Sequence, residues 1–206
     1  MSFSIIEINM KKEIIFQYFK ALEKLKDEEY LKAVISYYIA PVIEGKKPAS
    51  IISLGSGGRN LKFLWQKYFD SFQENSDIRW ITLRESTNSI IILIYNITVL
   101  KELLEREEIR DFFKDYGYKH YEIEGLLNDI KGKYKDNCPH EIGVLLGIPL
   151  KDVKAFVSGY KTPLIKSGYW LVYSEVEEAL RTFDLYDSIR EKVAMKIIRE
   201  ANKDNY

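Results

Sequence analysis

Six consecutive residues, Ile90-Ile91-Ile92-Leu93-Ile94-Tyr95, are apolar without a break. The run is far short of the roughly 20 residues needed to cross a bilayer. It also lacks the polar–apolar alternation of a strand with one wet face. It reads as a β-strand covered on both faces. Residues 78–84 form the strand before it, and Ser86-Thr87-Asn88-Ser89 the turn between them, so the pair is expected as an antiparallel hairpin. A strand buried on both sides obliges the rest of the chain to supply helices around it.

The flanking segments have that character. Ile15, Tyr18, Phe19, Leu22 and Leu25 recur at helical spacing. A second helix starts at the acidic cluster Asp27-Glu28-Glu29, which suits a helix N-terminus. It buries Leu31, Val34, Ile35 and Tyr38 and is expected to end by Pro41, since a residue before proline avoids the helical region. Residues 50–54 read as a short strand closed by Gly55-Ser56-Gly57-Gly58, with a helix carrying Leu61, Leu64, Trp65 and Tyr68 behind it. Residues 99–135 are helical, broken at Gly117. Two short helices joined at Gly147-Ile148-Pro149 follow, a helical hairpin at about 139–158. Residues 169–173 are the last strand. Ser174 with Glu177 reads as a capping box in front of Val176, Ala179, Leu180 and Phe183, and a final helix covers about 186–202. The fold class is therefore mixed α/β, of α+β character: a small sheet including an antiparallel hairpin, surrounded by helices. No repeat or linker interrupts it, and 1–206 is expected as a single domain.

Composition narrows the function classes. Lys plus Arg and Asp plus Glu each number 31, so net charge is zero. No global field draws the chain to nucleic acid or to an anionic membrane. The single cysteine, Cys138, excludes an internal disulfide and a multi-cysteine metal site and fits a reducing compartment. Residues 1–9 are followed by Lys11 and Lys12 rather than a long apolar stretch, so no leader is expected and the location is read as cytoplasmic.

The densest chemical signal is Cys138-Pro139-His140-Glu141-Ile142-Gly143-Val144-Leu145-Leu146-Gly147. Pro139 suits the first helical position, making Cys138 the N-cap and placing Glu141 where it can reach back to backbone N–H groups. His140 lies off the apolar stripe of Ile142, Leu145 and Leu146. The positive end of a helix dipole disfavours a second positive charge, so its imidazole is expected as a ligand or base. Its one possible histidine partner is His120, too little for a metal site without added carboxylates. Cys138-Pro139 matches the dipeptide of some thiolate haem sites, but two residues are unspecific, and a small half-buried thiol explains the cysteine.

The same stretch has helix-turn-helix spacing in Gly143, Gly147 and Val153, with Lys151 and Lys154 on the second helix and Lys161 and Lys166 beyond. Asp152 and the scarcity of base-reading side chains there argue for an ordinary helical hairpin. Gly55-Ser56-Gly57-Gly58-Arg59-Asn60, between a strand and a helix, has the shape of an anion-cradling loop, but no Walker Lys-Ser/Thr follows, and a plain turn suffices.

Pro139-His140-Glu141-Ile142-Gly143, Leu146-Gly147, Pro149, Asp152-Val153 and Gly168-Tyr169-Trp170 with Val172-Tyr173 resemble an uncharacterised bacterial family, a domain of unknown function mostly from anaerobic Gram-positive bacteria. Ala40-Pro41, Gly45, Lys47-Pro48-Ala49 and Gly117-Tyr118 extend the resemblance over most of the chain. Cys138 stands where relatives carry an aromatic residue, and Leu171 where they carry a basic one. The resemblance implies kind and location, not a reaction.

The first functional expectation is a binding or accessory protein with a small-molecule cleft near His140, Glu141, Tyr169 and Trp170, because aromatic walls with few polar groups typify such pockets. The alternatives are a helix-turn-helix DNA-binding regulator, and an enzyme using His140 and Glu141 as an acid–base pair. Adjacent helical residues diverge by about 100°, so that pair can share a substrate only at a helix end. Cofactor, ligand identity and oligomeric state are not legible.

Overall fold

The hairpin is present. The computed structural model describes residues 12–72, 77–135, 137–159 and 163–203. In it β2 (Ile78–Glu85) and β3 (Ser89–Asn96) pair antiparallel, with Ile81 opposite Leu93. β1 (Ala49–Gly55) pairs antiparallel with the other side of β3, Ile52 opposite Ile92. The order β1-β3-β2 makes β3 the central strand. Its two side-chain sets enter different cores, which is why its sequence does not alternate.

Ile90, Ile92 and Ile94 pack beneath α2 (Asp27–Ile43) and α3 (Leu61–Tyr68), against Leu31, Ile35, Ile39 and Trp65. Leu93 and Tyr95 face the opposite core. That core is built by α4 (Ile97–Leu104), α5 (Glu107–Asp115), α6 (Ile123–Tyr134), the 3-10 turn His140–Val144 and α7 (Leu150–Val157). The β2–β3 register slips between Thr82 and Arg84. The extra residue of this irregularity, Leu83, is buried in the same core as Leu93.

A third layer covers α2. α1 (Lys12–Lys24) and the 28-residue α8 (Val176–Lys203) pack Tyr18, Leu22, Ala194 and Ile198 on Ala33, Val34 and Tyr37. With the sheet on one side and two helices on the other, α2 is apolar nearly all round, as a fully buried helix should be. The two-residue strands β4 (Lys166–Ser167) and β5 (Leu171–Val172) form a separate small hairpin. Trp170 and Val172 pack on Ala179, Phe183 and Tyr186 of α8.

Four local expectations are corrected. α2 does not end at Pro41 but runs to Ile43. A proline inside a helix costs about 3 kcal/mol, while Val42, fully buried just beyond it, recovers about 1.5–3 kcal/mol when the last turn is completed. The helix stops instead at Gly45, whose φ of +64° suits glycine. The N–H groups of Lys46 and Lys47 then both donate to the carbonyl of Pro41, at 2.8 and 3.0 Å.

The expected strand at residues 169–173 shrinks to Leu171–Val172, with Tyr169 and Trp170 in the hairpin's connection. The two C-terminal helices are one, because the apolar stripe continues unbroken through Phe183, Tyr186 and Ile189. Ser174 and Glu177 make no capping box. The Ser174 hydroxyl donates to Asp152 instead, and Glu177 lies exposed beside Arg181.

Candidate functional site

The segment that began as the densest signal divides its residues between two neighbourhoods. Pro139, not Cys138, occupies the N-cap, and the expected α-helix is a 3-10 turn of five residues, His140–Val144. In the tighter turn Glu141 points inward. It is 8% exposed and accepts a hydrogen bond from the Tyr118 hydroxyl at 2.9 Å and one from the Lys133 ammonium at 3.3 Å. Glu141 is thus a clamp between this turn and the Gly117-Tyr118 bend rather than a self-cap. Burial, and then the Glu141 charge, hold the Tyr118 phenol well above its usual range, so it donates as a neutral group.

His140 is exposed, with its ring edge-on to Phe156 at 5.0 Å. His140 and Glu141 therefore diverge, as adjacent positions should. His120 bonds Asp129 at 3.1 Å on another part of the surface. Among the described residues no group of three or more His, Cys, Asp or Glu side chains is arranged to hold a metal. Cys138 is half-buried, and burial pushes its thiol up, the opposite of what a thiolate ligand needs.

The helix-turn-helix spacing is explained by packing. A Cβ at Gly143 would lie 3.2 Å from Val153 and 3.3 Å from Ile148, so this glycine lets α7 close onto the 3-10 turn. On α7, Lys151 pairs with Glu175, and Asp152 is 1% exposed. Asp152 gathers four hydrogen bonds: from Trp170 Nε1 at 2.8 Å, from the N–H groups of Tyr173 and Ser174 at 3.0 Å each, and from the Ser174 hydroxyl at 3.1 Å. The aspartate that counted against base reading is the anchor of the Tyr169–Ser174 segment. The glycine loop is likewise occupied with its own fold. Arg59 turns onto the carbonyls of Leu22 and Leu25 and the Asp27 carboxylate, while Asn60 caps α3 through the N–H of Phe63.

Tyr169 belongs to a third neighbourhood that the sequence did not announce. Its hydroxyl donates to Asp187 at 2.5 Å and accepts from Arg190 Nη1 at 2.7 Å. Arg190 is 2% exposed, in the middle of α8. Its Nη2 donates to the carbonyl of Tyr38 at 3.2 Å, and its Nε–H has no hydrogen-bond partner. Asp187 reaches it only through Tyr169. The guanidinium lies 4.9 Å from the Tyr169 ring and 6.0 Å from that of Tyr37.

Lys47 approaches the same cluster from the turn after α2. Its ammonium lies 5.7 Å from the centre of the Tyr186 ring, and no described carboxylate offsets it. Burial, and then the repulsion of Arg190, push its pKa down to about 7. Gly147, at φ +77°, is what lets the turn in. A Cβ there would sit 3.1 Å from Pro48, 3.4 Å from the Tyr186 hydroxyl and 3.6 Å from Lys47.

Four sequence segments thus converge: Lys47-Pro48, Gly147, Tyr169 and α8. Of the four expected site residues, Tyr169 lies in this cluster. Trp170 stands beside it, edge-on to Phe183 at 4.5 Å and tied to Asp152. Glu141 and His140 engage Tyr118 with Lys133, and Phe156, respectively. The missed residues are Lys47 and Arg190. The signal for Arg190 is its register: Phe183, Tyr186, Arg190, Ala194 and Ile197 follow one another at helical spacing, placing a cation on the apolar face of α8. A groove of about 480 Å³ lined by Ser188, Glu191, Lys192, Met195 and Arg199 lies on the other side of that helix.

Among the described residues no helix is long and apolar enough to cross a membrane. Chemically, the cluster can do one thing well: two cations, one carboxylate and neutral phenols can receive negative charge. No curated protein and no solved structure matches the chain. A family model does match, over residues 35–205, and the span takes in every segment of the cluster. The chain belongs to the family described as protein of unknown function DUF3793.

Proposed function

We propose that this protein binds a small molecule at the junction of the Lys47-Pro48 turn, Gly147, Tyr169 and α8, and acts as a binding or accessory protein. The observation that carries the reading is Arg190: a guanidinium 2% exposed that, among the described residues, has no carboxylate in direct contact and no acceptor for its Nε–H. A buried charge is costly unless it is paired and fully hydrogen-bonded. A second, uncompensated cation beside it makes the arrangement worse for stability, and worse in a way that a ligand relieves. Rigid aromatic surroundings, with Tyr37, Tyr169 and Tyr186 near the charge, are the usual setting for such recognition. The free thiol of Cys138 fits work in a reducing compartment, the cytoplasm.

The test is native mass spectrometry of the purified full chain, with melting curves in small-molecule pools for the parent and for Arg190→Met. The reading expects a bound mass, or a stabilising pool, whose effect is lost in Arg190→Met. Ligand-induced stabilisation of equal size in both chains would remove the cluster from consideration.

A further inference from the structure

We infer that the ligand of this cluster is a small organic carboxylate, held with one oxygen on the Nε–H of Arg190 and the other on the ammonium of Lys47. This rests on the reading that the cluster binds a small molecule at all.

Arginine pairs with carboxylate and phosphate alike through two parallel N–H bonds, so the choice between them rests on charge. Here Nη1 is given to Tyr169 and Nη2 to Tyr38, leaving Nε as the nitrogen without a partner. One oxygen can be served there, and the next cation is Lys47. With Lys47 protonated, Lys47 and Arg190 against Asp187 leave one net positive charge, which a monoanion cancels and a dianion overshoots inside a buried cluster.

The phenols contribute donors but no charge. Burial pushes Tyr186 up to about 12 and holds Tyr169 above its ordinary range. Asp187 accepts from the Tyr169 hydroxyl and keeps its charge, which Arg190 and a protonated Lys47 together outweigh. Arg190 Nε is closed to solvent in the ligand-free chain. A ligand oxygen reaches it only when a neighbouring side chain moves. Lys47 has the least to lose, being half-buried on a flexible stem with no carboxylate partner among the described residues. An arriving carboxylate gives its ammonium the partner that the fold withholds.

The experiment uses the full chain with sodium benzoate, sodium butyrate, the neutral isostere benzamide and inorganic phosphate, each titrated by calorimetry and by melting temperature. At least one carboxylate is expected to bind, with benzamide and phosphate about tenfold weaker or worse, the loss typical of a charged hydrogen bond. Arg190→Met should abolish the carboxylate effect, and Lys47→Met should weaken it. A cooperative melt of each variant without ligand shows that it is folded.

Equal binding of benzoate and benzamide, no binding of either carboxylate, or carboxylate binding unchanged in Arg190→Met would overturn the inference. If the copurifying molecule is neutral or a phosphate and still needs Arg190, the carboxylate assignment fails while the small-molecule reading stands. If nothing bound depends on Arg190, both fail.

Discussion

Replacing Asp152 by alanine removes the acceptor of four hydrogen bonds at once. The groups left behind are not equivalent. Trp170 is 8% exposed and Tyr173 4%, so the indole N–H and the Tyr173 N–H become buried donors without acceptors. Ser174 is half-buried and can turn its hydroxyl and N–H to water. Two stranded donors cost about 1–3 kcal/mol each, which makes Asp152→Ala destabilising by about 2–6 kcal/mol. Asp152→Asn separates the two sides of the carboxylate. An amide oxygen at the Oδ1 position still serves Tyr173 and Ser174, but the amide NH₂ then faces the indole N–H, costing about 1–3 kcal/mol for a single stranded donor. Urea unfolding of the parent and both variants measures these differences. The predicted order is parent, Asn, Ala, with unchanged slope. A loss under about 1 kcal/mol for Asp152→Ala, the range of an ordinary surface change, would refute the claim that this carboxylate anchors the Tyr169–Ser174 segment.

The other predictions concern the same region. Gly168→Ala drives a Cβ into the Phe183 ring and should cost about 1–3 kcal/mol, read as a lower urea midpoint. Gly147→Ala forces a left-handed residue against Pro48, at about 1–2 kcal/mol for the backbone alone, and should also weaken ligand binding by displacing Lys47. Glu141→Gln keeps an acceptor for Tyr118 and gives up a pairing with the part-exposed Lys133, a loss of under about 1 kcal/mol. Glu141→Ala, which strands the Tyr118 hydroxyl, should lose about 1–3 kcal/mol in the same unfolding experiment.

Lys47 predicts a pH dependence. Its pKa is about 7 folded against an ordinary 10.5, so between those values the unfolded chain holds a proton that the folded chain has released. Its contribution to stability therefore rises with pH across that window, and its burial penalty stands in full below it. Lys47→Met should be more stable than the parent below about pH 7, with the advantage shrinking as pH rises toward 10. Melting curves across that range check the sign.

What the sequence made legible was governed by local pattern. The unbroken apolar run of β3 demanded cover on both sides, and the sheet between α2 and the α4–α7 layer supplies it. The hairpin followed from its turn residues. Where the sequence misled, a distant contact outweighed a local preference. Pro41 reads as a stop, but the burial of Val42 carries the helix past it. Glu141 three residues after Cys138 reads as a cap, and nothing nearby reveals that Tyr118, 23 residues upstream, waits to donate to it. Ser174 and Glu177 have capping-box spacing, but a buried carboxylate on α7 is the better acceptor. At the candidate site Tyr169 was legible as an aromatic in a distinctive segment. Lys47 was not, because its neighbours lie 100 residues or more away in the chain, at Gly147 and Tyr186. Arg190 was concealed by the charges around it, Asp187, Glu191 and Lys192, which make that stretch of α8 look like a solvated face.

The central claim is that Arg190 is kept for a ligand and not for stability, and the unliganded stability of Arg190→Met tests it most directly. Methionine fills similar volume without charge, and such replacements of buried ionic groups are often neutral or stabilising by about 1–4 kcal/mol. The account predicts that Arg190→Met is at least as stable as the parent in buffer and gains nothing from a carboxylate that stabilises the parent. A loss of about 3–5 kcal/mol in buffer, the signature of a broken buried network, would assign Arg190 to the architecture of the fold and contradict the claim.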